Sequence, residues 1–361
     1  MDTSKKIQTK KKMDKKKKLI IASITVVSII LLLVLTILLV FHVYYGKMNV
    51  VTDKNPVPTI TDDELAPEPE DSNGPDSSQE DINNAESGSK IPMMSSKDVF
   101  NVLLIGIDSR KDDSRGRSDS MILVSINKKT KKIIATSIMR DSFVQIDGHK
   151  NNRINAAFAF GGADLLIKTI EGNFKVKVDR YAYINFFSFI DIVNSVGGVT
   201  LDVSKDEIPV INKYILEINR LTNQPDNSGF LTKPGKLTLS GKQALGYSRN
   251  RYVGNSDFER TARQRRVLEQ IYIKAKSLNV LQLNKLFNKI LPDVTTNLSE
   301  GEMLSYVFGA PTYLKYDVEQ FRIPMDGAYK GLRVRGMSVL GIDFDKNVIA
   351  LQNKIYGKSN N

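Results

Sequence analysis

The chain changes texture three times along its length. Residues 1–18 are polar, Leu19 to Tyr45 is an apolar run without a charged residue, and about fifty polar, Pro-containing residues follow. From Asp98 onward, short apolar runs alternate with polar turns. Here FNVLLIGI (100–107), SMILVSI (120–126) and KIIATSI (132–138) are apolar and β-branched over strand length, the last two joined by the turn-like NKKTKK. NAAFAF (155–160), ADLLIKTIEGNF (163–174) and FFSFIDIVNSV (186–196) read as helices, and RYAYINF (180–186) as a strand before the last of them. GGVTLDV (197–203) restarts a strand after a glycine break, QALGYSR reads as a short helix, and residues 256–279 as a long one with Ser256 as N-cap. Residues 206–234 read as a long surface excursion. Strands alternating with helices predict an α/β body over 98–361, a single domain with a central, mainly mixed β-sheet flanked by helices.

The apolar run of 27 residues, Leu19 to Tyr45, would be about 40 Å long as a helix, enough to cross a hydrocarbon core of about 30 Å. Tyr44 and Tyr45 stand where an interfacial aromatic belt would lie. The alternative is a cleaved signal peptide, but the run exceeds an ordinary h-region and no small-residue cleavage pattern follows it. Nine of the first eighteen residues are lysine, and the positive-inside rule then places the N-terminus in the cytoplasm and the body outside. The expected organisation is a basic cytoplasmic tail (1–18), a transmembrane helix (19–45), an acidic disordered linker (46–97) and the exported body. Residues 53–90 hold eleven acids against two lysines, and this composition cannot bury enough apolar surface to fold alone. The expected location is the cell membrane, single-pass, with the membrane as a partner.

The chain has no Cys and two His. That excludes disulfides, thiol nucleophiles and Cys-ligated metals, and leaves no His-based metal set. Any metal should be a hard cation held by carboxylates. The net charge of +12 raises nucleic acid as a partner; an exported basic body argues against it.

Two clusters carry candidate chemistry. Asp108, Arg110, Arg117 and Asp119 follow the strand 100–107, where open α/β sheets bind ligands. Arg117 and Asp119 are two apart and share a face of an extended segment. Asp108 and Asp119 can then converge on one Mg²⁺ beside phosphate oxygens; the plain alternative is a solvated, turn-rich loop. The second cluster is Arg249, Arg251, Asp257, Arg260, Arg263, Gln264, Arg265 and Arg266. Arg260, Arg263 and Gln264 fall at i, i+3 and i+4 of a helix, and guanidinium groups gathered this way suit an oxyanion. The alternative is a solvated basic face touching anionic lipid or wall polymer. Arg140 and Asp141 end a further strand at the same sheet edge, with an ordinary ion pair as the alternative reading. Lys150 and Arg153 are placed equally well at the cleft or on the surface.

The motifs LLIGIDSR, RGRSDSMIL, SIMRDS, RINAAFAFGG, VDRYAYINF, VNSVGGV, LSGKQALGYSRNR and DFERTARQRRV, in this order, resemble the LytR–CpsA–Psr family over about residues 98–275. Where that family often has Pro before the strand-end Arg, this chain has Met139. The resemblance implies a phosphotransferase that moves a glycopolymer (teichoic acid, capsule or related) from a polyprenyl-pyrophosphate carrier onto peptidoglycan. It implies Mg²⁺ on Asp108 and Asp119. It implies pyrophosphate held by Arg117, Arg140, Arg249, Arg251, Arg260, Arg263 and Gln264, with Arg249 and Arg251 also catalytic. The apolar stretches 155–170 and 186–196 would line a lipid tunnel. The base is left open between Asp141 and Asp257. A non-catalytic envelope regulator of the transcription-attenuator type and a polyprenyl-pyrophosphate hydrolase are the rival functions.

Overall fold

The computed structural model describes Leu32, residues 35–51, 60–62, Leu65, 75–108, 116–254 and 256–357. The chain divides into two compact units, Met1–Lys47 and Met48–Asn361. In the first, residues 35–45 are helical. Most of the expected span over 19–45 lies outside the described residues, among which no helix is long and apolar enough to cross a membrane.

The second unit begins with β1 (Asn49–Val50), α1 (Gln79–Glu86), β2 (Val99–Ile107), β3 (Ser118–Asn127) and β4 (Lys132–Ile138). It continues with β5 (Phe143–Val144), β6 (Asn152–Arg153), α2 (Asn155–Phe174), β7 (Arg180–Asn185), α3 (Phe186–Ser195) and β8 (Val199–Val203). Then come α4 (Glu207–Leu221), β9 (Gly235–Leu239), α5 (Gly241–Arg249), α6 (Ser256–Ala275), α7 (Val280–Ile290) and β10 (Thr295–Thr296). The last elements are α8 (Glu300–Tyr313), β11 (Asp317–Ile323), β12 (Tyr329–Val334), β13 (Met337–Ile342) and α9 (Phe344–Tyr356). A seven-stranded mixed sheet in the order β1-β10-β7-β2-β3-β4-β11 forms the centre.

Local chemistry explains the hairpin β3–β4. The Asn127 side-chain oxygen accepts from the amides of Lys129 and Thr130 at 3.0 and 2.9 Å, the turn device of Asx residues, and Lys131 takes φ 55°. The helical reading of 155–174 also holds, including its interruption. Gly161 and Gly162 depart from helical geometry, and Gly162 combines φ 66° with ψ −157°, which only glycine adopts without strain.

Burial along β2 alternates strictly between fully buried and half-buried residues. Leu103, Ile105 and Ile107 face a core filled by α2 and α9, where Phe160, Leu166, Phe174 and Leu351 are wholly buried. The opposite face carries Leu104 and Gly106, level with Ser120 and Ile122 of β3 and with Ala182 and Ile184 of β7. It fronts a second layer made of α3 to α6 and the β8–β9 hairpin, which has its own core around Val193, Ile211, Ile215, Leu239 and Val267.

Three readings are corrected. Residues 75–97, placed in the linker, are an ordered part of the body. Ala85 and Ile82 of α1 pack with Phe143, Leu332 and Val339, and the Asp76 carboxylate accepts from the amides of Arg335 and Gly336 at 2.8 and 2.9 Å. Their polar composition covers another element's core rather than forming one. Residues 206–234 are not a surface excursion, because α4 buries Ile211, Ile215 and Ile218 at helical spacing. The stretch 155–170 packs in the α2–sheet core and does not line the cavity described below. Beyond residue 279, where no elements were expected, the described residues form three α-helices, one 3-10 turn and four strands.

Candidate functional site

Between the half-buried sheet face and the helical layer lies a cavity of about 800 Å³. Leu104, Ile122, Ala182, Ile184, Phe189, Ile192, Leu268 and Ile271 make its wall apolar. At the carboxyl ends of β2 and β7 the lining becomes charged. Arg117, Arg140, Arg249, Arg251, Arg260 and Lys213 there face Asp108, Asp119 and Glu217. Six cations against three carboxylates leave room for a multiply charged anion.

Backbone geometry places the acids. Asp108 follows the last residue of β2, and its amide donates to the Arg117 carbonyl at 3.0 Å, bringing both ends of the intervening loop to the rim. The β2–β3 register shifts between Gly106 and Ile107, which pair with Ser120 and Ser118. Asp119 is the extra residue of this bulge, so it reaches the cavity beside Ser120 instead of pointing to the other face. Arg140 Nη1 donates to Asp119 Oδ1 at 2.8 Å, and Gln264 Nε2 to the Asp119 carbonyl at 3.5 Å. Burial works to raise the Asp119 pKa; Arg140, Arg260 and Arg249 outweigh it and hold the carboxyl below its ordinary value. Asp119 is therefore ionised at neutral pH.

Arg249 ends α5, which starts at a capping box of Ser240 and Gln243. Its guanidinium stands 4.5 Å from the Phe186 ring and 4.6 Å from the Tyr214 ring. Asp108 Oδ2 lies 3.7 Å from one terminal nitrogen and Glu217 Oε2 3.5 Å from the other. Two rings and two carboxylates thus fix the direction of this cation. Burial pushes the Tyr214 phenol up, with Arg249 opposing, and Tyr214 Oη donates to the Arg249 carbonyl at 3.3 Å.

The structure brings Asp108, Arg117, Asp119, Arg140, Arg249, Arg251, Arg260 and Gln264 to one cavity. Arg263 stands elsewhere. Its Nε donates to Glu207 at 2.7 Å and its terminal nitrogens to the carbonyls of Asn250 and Val253 at 2.9 Å each. A buried acid and two carbonyls draw this arginine away from the face it was assigned by spacing alone. Asp141 does not line the cavity either; it lies 3.6 Å from Arg140 Nε and 3.5 Å from Arg153 Nε, supporting the wall from behind. Arg153 is itself buried, donating to the Ser338 carbonyl at 3.0 and 2.8 Å. Arg265 donates to Ser137 and Gln320, and Arg266 to Glu259. Met139 is fully buried, its amide donating to the Ile323 carbonyl at 2.8 Å. The side chain of Asp257 and the N-cap reading at Ser256 lie outside the described residues.

Lys213, Tyr214 and Glu217 were missed with the helix that carries them. The spacing of Ile211, Ile215 and Ile218 was the available signal, and it places these three on another side of α4.

The LytR_cpsA_psr family model matches residues 69–353. The chain belongs to this family. A relative from Enterococcus faecalis, polyisoprenyl-teichoic acid–peptidoglycan teichoic acid transferase TagU, is 35% identical over 215 residues, 58% of this chain and 65% of that protein. Biofilm regulatory protein A of Streptococcus mutans is 34% identical over 224 residues, 58% of this chain and 53% of that protein. The chain therefore spans less than two thirds of the length of either. The solved LytR-CPS2A-psr family protein YwtF (TagT) with bound octaprenyl pyrophosphate lipid superposes with a TM-score of 0.54 at 30% identity, over 75% of this chain and 97% of that one.

Proposed function

We propose that this chain is a phosphotransferase that moves a glycopolymer from a polyprenyl-pyrophosphate carrier onto peptidoglycan, outside a membrane that its N-terminal segment spans. The observation that carries this is the union of an arginine rim with an apolar cavity of about 800 Å³. One ligand type matches both halves, a diphosphate on a long hydrocarbon chain. The solved relative with octaprenyl pyrophosphate and the transferase name of the Enterococcus relative support the same reading.

In the proposed reaction a sugar hydroxyl oxygen of the acceptor attacks the polymer-side phosphorus. The bond from that phosphorus to the bridging oxygen breaks, polyprenyl phosphate leaves, and a phosphodiester joins polymer to acceptor. The donor itself supplies the free energy, so no nucleotide is needed. Such a transfer needs alignment and charge neutralisation more than covalent help from the protein. Arg249, held between Phe186 and Tyr214, and Arg140, held on Asp119, would neutralise the charge that develops on the diphosphate. The apolar wall would take the first isoprene units and exclude water from the leaving group. The hydroxyl proton passes to a base; Asp141, behind the wall between two arginines, is not placed to receive it.

Asp108 and Asp119 fit Mg²⁺, since both present hard oxygen donors to the rim and Mg²⁺ completes its shell with phosphate oxygens and water. When bound, the ion would add charge neutralisation at the diphosphate.

Incubation of the full chain with polyprenyl-pyrophosphate-linked polymer, Mg²⁺ and peptidoglycan oligomers tests the reading by product analysis. A linked polymer–peptidoglycan product is expected. Free phosphorylated polymer would make the protein a hydrolase, and unchanged donor a binder or regulator. Arg249→Ala should lower transfer by about a hundredfold to a thousandfold, the usual loss of one oxyanion donor. A chelator should abolish transfer and added Mg²⁺ restore it; indifference to both removes the metal from the scheme.

A further inference from the structure

The end of α6 and all of α7 carry a face the site does not use. Val280 is 81% exposed and Leu281 74%, the two most exposed large apolar side chains among the described residues, and Ile273 on α6 and Phe287 on α7 are exposed as well. Val280 and Leu281 occupy the first turn of α7, held there by a capping box between Asn279 and Gln282. Leu286 anchors the helix from below, and Lys289 pairs with Asp191 of α3 at 2.8 Å. Around this apolar tip the stretch 270–292 contains Lys274, Lys276, Lys285 and Lys289 and no Asp or Glu. Exposed apolar side chains on a lysine-rich segment, whose nearby acids are Asp191 on Lys289 and the flanking Glu269 and Asp293, are complementary to an anionic lipid surface.

Chain connectivity points the same way. Asn49 lies four residues beyond Tyr45, the end of the uncharged run, so at most about 14 Å of chain separates them. Asn49 is stitched to the residues directly after α7. Its amide donates to the Val294 carbonyl at 2.9 Å and its side chain to the Pro292 carbonyl at 2.8 Å. The cavity adjoins the same segment, since Leu268, Ile271 and Val294 line it while Ile273, Val280 and Leu281 stand outside.

We propose that this face docks on an anionic lipid bilayer. Val280 and Leu281 enter the acyl boundary while Lys274, Lys276 and Lys285 meet the headgroups. Docking seats the apolar wall of the cavity against the bilayer, so that a prenyl chain passes from lipid to protein without crossing water. This delivery role rests on the lipid-carrier reading above; the docking itself does not.

Because the chain has no tryptophan, Leu281→Trp places a unique reporter on the face. In the full chain reconstituted into phosphatidylcholine vesicles containing phosphatidylglycerol, its emission should shift to the blue and be lost to brominated acyl chains. Ile349→Trp, on α9 and 51% exposed, should show neither change. Replacing Lys274, Lys276 and Lys285 by Gln should abolish the quenching of the Leu281→Trp reporter. Emission of that reporter untouched by brominated lipid overturns the proposal, and a blue shift that follows protein density while ignoring brominated lipid assigns the face to a second copy. In parallel, Val280→Glu with Leu281→Glu should lower transfer from vesicle-embedded carrier by more than about tenfold and leave transfer from a short-chain carrier in detergent unchanged. Equal transfer in both formats overturns the delivery role. No transfer by the parent chain in either format sinks the transferase reading, and the quenching result then stands alone.

Discussion

The two faces of the central sheet are built from one alternating pattern and end in opposite states. Leu103 and Leu104 are neighbours in β2, yet Leu103 is fully buried under α2 and α9 while Leu104 lines the cavity. The difference lies in the covering layers. Over Leu103, α2 brings Phe160, Leu166, Ile170 and Phe174, which fill the space. Over Leu104, the sheet offers the small residues Gly106 and Ala182, and a ring of like-charged arginines lies at the rim. Held on Asp108, Asp119 and Glu217, the charged rim keeps this side from collapsing into a second core. An apolar pattern thus identifies a strand without revealing which of its faces is filled.

The largest effect that separates the faces is on stability. Leu103→Ala should lower the unfolding free energy by about 3 to 5 kcal/mol, because it removes transfer energy and leaves a hole in a packed core. Leu104→Ala should lower it by less than about 1 kcal/mol, because the side chain has few atoms packed against its far side. Urea unfolding of the two variants checks this, and equal losses would mean the cavity is filled in solution. The next effect is on binding. Ala182→Phe should leave the urea midpoint unchanged while displacing two or three carbons of a bound lipid chain, about 2 kcal/mol or roughly thirtyfold in Kd. Titration with a polyprenyl pyrophosphate reads it, and unaltered affinity would place the chain elsewhere.

Much of this contrast was visible in the residues, and what was hidden has physical causes. The strands of β2, β3, β4 and β7 follow from β-branched runs, and the break in α2 from Gly161-Gly162. The gathering of arginines at one edge was expected because strand ends and a helix face carried them. Spacing could not tell Arg260 from Arg263, since three residues on a helix differ by a rotation that a buried partner decides. Glu207, in a segment read as a surface excursion, was that partner. Residues 75–97 looked disordered because their apolar content is low, but α1 needs only Ala85 and Ile82 to cover a core supplied by β5, β12 and β13. The bulge at Asp119 is a register event between two strands, and no single strand's sequence records it.

The smallest expected effect concerns charge on the cavity face. Arginines hold the Asp119 pKa below its ordinary value, against the opposing pull of burial. A carboxyl depressed in the folded state contributes stability that is present above its unfolded pKa, about 3.9, and is lost as pH falls through the folded value. Asp119→Asn removes that contribution. The stability difference between the parent chain and Asp119→Asn should therefore stay flat from about pH 5 to 8 and shrink below about pH 4. Urea unfolding at a series of pH values measures it. A difference that changed between pH 5 and 8 would mean that Asp119 titrates there, which requires Arg140, Arg249 and Arg260 to point away from it. The rim would then be too loosely ordered to hold a diphosphate, while the core face, which has no such charge, would keep its stability across the same range.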